Sequence, residues 1–369
     1  MLNEYFAGLT DTRQAKKVKH NLLEIIVMTI CAVIAGCEAW EDIADYCRVK
    51  QDWFQSRLGM KLQNGVPSHD TLQRVWGMIE PKEFEKCFRS WIRSVCTVTG
   101  GEIVSIDGKT LNGSKDAKKS AIHMVSAWAN KNQLVIGQIS TEEKSNEITA
   151  VPQLLDLLDV KGCIITADAM SCQKKITAKI EEKQADYVLA LKDNQLNLRR
   201  DGADFFDEVL NHPKELAKLQ HTHTIDKGHG RIETRDYYLT TDIDWMLYGE
   251  GWHNLKSIGI VISNVESGGK KTTEKRYYIS SLTSVQSFSK AVRSHWGIEN
   301  SLHWCLDVTF HEDDSRMRKD NTAENMAVVR HFALDALKLH PAKMSIARKK
   351  RHCSYDAEFL AQVLEIIHA

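Results

Sequence analysis

Two changes of hydropathy period predict the fold class of this 369-residue chain: an all-helical N-terminal domain, then an α/β domain with a mixed sheet and a β-rich insertion. Apolar residues keep helical spacing up to Gly100-Gly101 and alternate in β-branched runs beyond it, and only five prolines and 20 glycines interrupt either part. The length suits about two domains. The expected boundaries are therefore 1–100 for the helical part, 101–340 for the α/β part with its insertion at about 195–284, and 341–369 for a basic closing segment.

The elements follow in order. Apolar residues recur at helical spacing from Leu22 to Tyr46, with Glu24, Glu38, Glu41, Asp42 and Asp45 on the other face. Pro67-Ser68-His69-Asp70 supplies capping chemistry for a helix from Ser68 to Met78, and Pro81 opens a third carrying Phe84, Phe88, Trp91, Ile92 and Val95. Strands are expected at Glu102 to Ile106, Ile122 to Ala129 and Leu134 to Ser140, a meander whose last turn is Asn130-Lys131-Asn132-Gln133. Helix 148–158, strand 163–167, helix 173–183 and strand 187–191 make two βαβ-like passes. A helix at 203–210 and four strands between His221 and Ser280 form the insertion. Helices from Val285 to Val308 and from Ala323 to Leu339 close the fold.

Composition narrows the function. Lys+Arg and Asp+Glu both total 49, so affinity for a polyanion must come from local patches rather than net charge. Nine cysteines form no Cys-x-x-Cys pair, which argues against a zinc ribbon or disulfide framework and for a reducing cytoplasm. The opening MLNEYFAGLTD does not resemble a signal peptide, and the greasiest run, Ile25 to Cys37, is shorter than the roughly 20 residues of a membrane span.

Three acids stand out. Asp107 and Asp168 each end an apolar strand, where mixed sheets project side chains into a ligand crevice. Glu299 lies in His295-Trp296-Gly297-Ile298-Glu299-Asn300, and His295, Glu299, His303 and Asp307 recur every four residues along one helix stripe. Three carboxylates make an all-oxygen pocket suited to Mg²⁺ or Mn²⁺. Two such ions roughly 4 Å apart support in-line phosphoryl transfer. A zinc hydrolase built on His295, Glu299 and His303 is an alternative reading of the same stripe.

In order and context, Ser105-Ile106-Asp107-Gly108-Lys109-Thr110, Thr166-Ala167-Asp168-Ala169-Met170 and the Glu299 segment resemble the D-D-E triad of bacterial insertion-sequence transposases. The likeness is closest to the H-repeat-associated family, through Ser301-Leu302-His303-Trp304-Cys305-Leu306-Asp307-Val308 and Phe310-His311-Glu312-Asp313, and it spans nearly the whole chain. It implies a ribonuclease-H-like core, metal-dependent cleavage and transfer of double-stranded DNA at element ends and into a target, and a homodimer that pairs two ends, without a membrane. Related families carry Tyr, Arg and Lys around the glutamate; here those positions are Val292, His295 and Leu306, and Arg293 and His303 are the candidates to replace them.

Further DNA contacts are expected from Lys109, from a cationic hairpin tip at Lys227, His229 and Arg231, from Arg316, Arg318 and Lys319, and from the run Arg348-Lys349-Lys350-Arg351-His352 as a flexible phosphate-binding tail. Trp245 and Trp252 are candidates to stack on an unpaired base. A catalytically silent DNA-binding copy is the competing function.

Overall fold

The computed structural model describes residues 2–115, 120–141, 146–228 and 230–366. The first hundred residues hold six α-helices: α1 (Leu2–Phe6), α2 (Leu22–Ala35), α3 (Trp40–Val49), α4 (Gln51–Leu58), α5 (His69–Met78) and α6 (Pro81–Val95). Asn21 caps α2 by accepting from the amides of Leu23 and Glu24. The helix expected from Leu22 to Tyr46 is two helices, because Gly36 takes φ 106° and ends α2 in the left-handed conformation. Ser68 caps α5 through Thr71, and Pro81 stands at the start of α6, as their capping chemistry implies.

Next come β1 (Ile103–Thr110), β2 (His123–Ala129), β3 (Leu134–Thr141), α7 (Glu147–Leu157), β4 (Ile164–Ala167), α8 (Lys174–Glu182) and β5 (Asp186–Leu191). The insertion carries α9 (Leu196–Leu210), α10 (Pro213–Leu216), β6 (Gln220–Gly228), β7 (Arg231–Thr240), β8 (Ser257–Ser267) and β9 (Lys270–Ser280). The chain closes with α11 (Val285–Ile298), a π-helical stretch at Glu299–His303, α12 (Trp304–Phe310), α13 (Thr322–Leu339), α14 (Ile346–Tyr355) and α15 (Ala357–Ile366).

All nine described strands join one mixed sheet in the order β3-β2-β1-β4-β5-β9-β8-β7-β6. The meander β1-β2-β3 is antiparallel, β4 runs parallel to β1, and β5 runs parallel to β4. The insertion extends this sheet, since β9 pairs antiparallel with β5. Its strands outrun the expected ones because β8 and β9 continue as polar, exposed ribbons to a Gly268-Gly269 turn whose φ values are 55° and 75°.

Helix α13 is buried along nearly its whole length against α2, α5, α6 and β3. Its Asp335 accepts the Val135 amide at 3.2 Å and so satisfies a donor on the β3 edge. The closing segment is not a free tail. Helices α14 and α15 pack on α2 and α13, Lys349 and Lys350 are 5% and 7% exposed, and the Lys349 ammonium donates to the carbonyls of Leu337 and His340 at the end of α13. Only Arg348 and Arg351 of that cationic run stand exposed. Among the described residues no single helix is long and apolar enough to cross a membrane; α2 and α3 reach that length only as a pair bent by 100°.

Candidate active site

Strand register builds the centre of the site. Parallel pairing of β1 with β4 aligns Ile106 with Ala167, so the next residues stand side by side, Asp168 just past the end of β4 and Asp107 inside β1, which runs on beyond the expected end at Ile106 to Thr110 because it keeps pairing with β2. Glu147, in the first turn of α7, reaches the same point from the side of β2 and β3. One oxygen from each of Asp107, Glu147 and Asp168 lies within 4.8 Å of the others. Sequence reasoning missed Glu147 altogether.

Helix α11 packs across β1 and β4 and brings the histidine stripe over these acids. His295 Nδ1 lies 3.0 Å from the Thr166 hydroxyl, which donates to Ser105. With that hydroxyl proton spent, the imidazole is the donor to Thr166. The π-helical stretch then places His303 Nδ1 3.4 Å from an Asp107 oxygen. Glu299, at its first position, is exposed; it stands outside the tight trio yet close enough for its charge to act on Asp107.

Burial dominates the titration of the site. It lifts Asp107 to about 7, aided by repulsion from Asp168, Glu147 and Glu299. Burial also raises Asp168, with Glu147 adding repulsion. His303 and His295 are pushed the other way, to about 3 and about 4, chiefly because burial disfavours the imidazolium. The His303–Asp107 contact is therefore neutral imidazole against carboxyl rather than an ion pair. His303 Nε2 is buried without a partner.

Several expected DNA contacts have other partners. Lys109 is enclosed by Asp307 and Asp313 at 2.8 Å and Glu312 at 3.3 Å, which ties β1 to the chain after α12. Trp252 is 6% exposed in the core, and Trp245 stacks on Phe205 with centroids 4.3 Å apart. Arg231 pairs with Glu233, Arg293 with Asp226, and Arg318 donates to the Lys115 carbonyl. Lys227, Arg316 and Lys319 are exposed, and His229 lies outside the described residues.

The donor chemistry fits a hard divalent cation: among the described residues the ligand atoms that converge within 4.8 Å are carboxylate oxygens from three buried or half-buried acids. Residues 99–335 match the family described as Transposase DDE domain, and residues 3–92 match one described as DDE_Tnp_1-associated. The chain belongs to the transposase DDE family. It is 41% identical over 98% of its length to the "H repeat-associated putative transposase YhhI" of Escherichia coli K12, covering 97% of that relative. The "Putative transposase YncI" of Escherichia coli O157:H7 is 40% identical over the same share of the chain and 94% of its own. A shorter match, 47% over 74 residues, is to the "Inactive transposase YbfQ" of Escherichia coli K12 and spans 20% of this chain and 86% of that relative. The resemblance read from the acidic motifs is thus to the right family.

Proposed function

We propose that this transposase cuts and joins DNA at the ends of its element by divalent-metal-dependent phosphoryl transfer, with Asp107, Asp168 and Glu299 holding the metal. The observation that carries the reading is the convergence of Asp107 in β1 and Asp168 at the end of β4, from positions 61 residues apart, beneath the helix that leads into Glu299. The strand order β3-β2-β1-β4-β5, an antiparallel meander with two parallel strands added to its first member, supports a ribonuclease-H-like core.

Bound Mg²⁺ or Mn²⁺ would supply an activated water or 3′-hydroxyl and stabilise the leaving oxygen. The chain's own residues prepare that chemistry. The β1–β4 register sets the two aspartates side by side, neutral His303 orients the Asp107 carboxyl, and the His295–Thr166–Ser105 chain anchors the Glu299 helix to the sheet. Exposed Lys227, Arg316 and Lys319, with Arg231, Arg293 and Arg318 at the cost of their present partners, are the cations for the DNA backbone. A dimer would hold two ends together.

A non-catalytic DNA-binding copy is the reading to exclude. Incubating the protein with end-bearing duplex and Mg²⁺ separates the two: the enzyme nicks the strand, whereas the binder only shifts it in a gel. Asp107→Ala, Asp168→Ala and Glu299→Ala should each abolish nicking and keep the gel shift, and cleavage retained by any one of them removes that residue from the set.

A further inference from the structure

We infer that Glu147 is a fourth metal-holding carboxylate of this site and that His123 positions it, an inference that rests on the metal-dependent reading above. Glu147 is 2% exposed, and its Oε2 lies 3.0 Å from Nε2 of His123, itself 1% exposed. The other ring nitrogen of His123 lies 3.1 Å from the Thr110 hydroxyl on β1. The imidazole is thus fixed at both ends and turns the carboxylate toward the two aspartates, as outer groups commonly do for metal ligands.

A buried His–Glu pair that only joined α7 to β2 would gain nothing from standing beside further acids. Here one oxygen of the Glu147 carboxylate sits within 4.8 Å of oxygens of Asp107 and Asp168. Such crowding destabilises the cation-free protein and is relieved by a bound cation. The sequence also leaves room for it. A Cβ at position 108 would overlap the His123 ring and come within 2.7 Å of Glu147 Oε2, and residue 108, beside Asp107, is glycine. Glu147 therefore offers a buried ligand held by His123, whereas Glu299 is exposed.

The test is Mn²⁺ binding to the purified full-length protein without DNA, followed by electron paramagnetic resonance of the free ion. Glu147→Gln keeps the shape and the hydrogen bond to His123 but removes the charge. It should weaken Mn²⁺ binding roughly 10- to 100-fold. Glu147→Asp, which keeps the charge on a shorter stem, should lose less, and it serves as the working variant if the glutamine form does not fold. Asp107→Asn is the reference. Affinity lost in Asp107→Asn but within twofold of wild type in both Glu147 variants overturns this inference alone. Affinity unchanged in all three overturns the metal-dependent reading on which it stands.

Discussion

Lys109→Met separates the two roles open to this lysine. Its side chain is only 11% exposed and its ammonium faces three carboxylates, of which Glu312 is 2% exposed while Asp307 and Asp313 are 37% and 35% exposed. Burial works against the charge, but Glu312, Asp307 and Asp313 outweigh it and hold the pKa well above the ordinary lysine range. Removing one partner of a fully buried pair costs about 3–5 kcal/mol. Two of these three carboxylates can rehydrate, and each such pair is worth about 1 kcal/mol at most. Glu312 cannot rehydrate, although Arg330 stays 3.6 Å away. The loss should therefore be about 3 kcal/mol, or a melting point lower by roughly 4 °C. Because the folded pKa is raised, the stabilisation is complete below the unfolded lysine value of about 10.4 and fades only above it. The gap between variant and wild type should thus stay constant from pH 7 to 9. Thermal unfolding across that range measures it. An unchanged melting point, with a salt slope of DNA affinity shallower by about 0.9, would refute the cage and return Lys109 to the phosphate backbone.

Three further outcomes are expected. Cleavage should be supported by Mg²⁺ or Mn²⁺ and suppressed by Ca²⁺, whose looser shell suits in-line transfer poorly, as a nicking assay in each metal will show. Asp107 titrates near 7 without metal, so its raised pKa takes stability from the metal-free protein as pH rises from about 4 to about 7; Asp107→Asn should melt higher than wild type in EDTA at pH 8, and Mn²⁺ affinity should fall as pH drops below about 7. Neutralising Lys227 and Arg231 should weaken binding to end-bearing and scrambled duplexes alike and flatten the salt slope, whereas a selective loss on the end-bearing duplex would mean they read bases.

Much of the architecture was legible because its signals are local. Gly100-Gly101 separates helical from alternating patterning, and Ser68 and Pro81 mark helix starts within their own turn. Asp107 and Asp168 could be picked out because each follows a short apolar run, and parallel pairing then makes them neighbours, although only Asp168 ends its strand while β1 continues to Thr110. Where distant packing decides, reading along the chain fails. The run Arg348-Lys349-Lys350-Arg351 reads as one positive block, but a helix turns successive residues by about 100°. Two of its cations are thereby buried, Lys349 at the end of α13 and Lys350 against Glu38 and the Thr309 carbonyl, and two are left in solvent.

The acids show the same division at the site itself. Counting every fourth residue put His295, Glu299, His303 and Asp307 on one stripe, yet the π-helical stretch changes the step between Glu299 and His303, and His303 meets Asp107 while Asp307 meets Lys109. Glu147 carried no such signal, because an acid in the first turn of a helix is ordinary dipole chemistry. What distinguishes it is the direction from which α7 approaches: across β2, over His123, toward Asp107 in β1, 40 residues earlier in the chain. The glycine at position 108 is visible in the sequence only as the residue after Asp107. Within the sheet it is a strand residue whose missing side chain makes space for the His123–Glu147 pair, so the same residue that marks the first aspartate in the sequence also admits a further acid beside it in the fold.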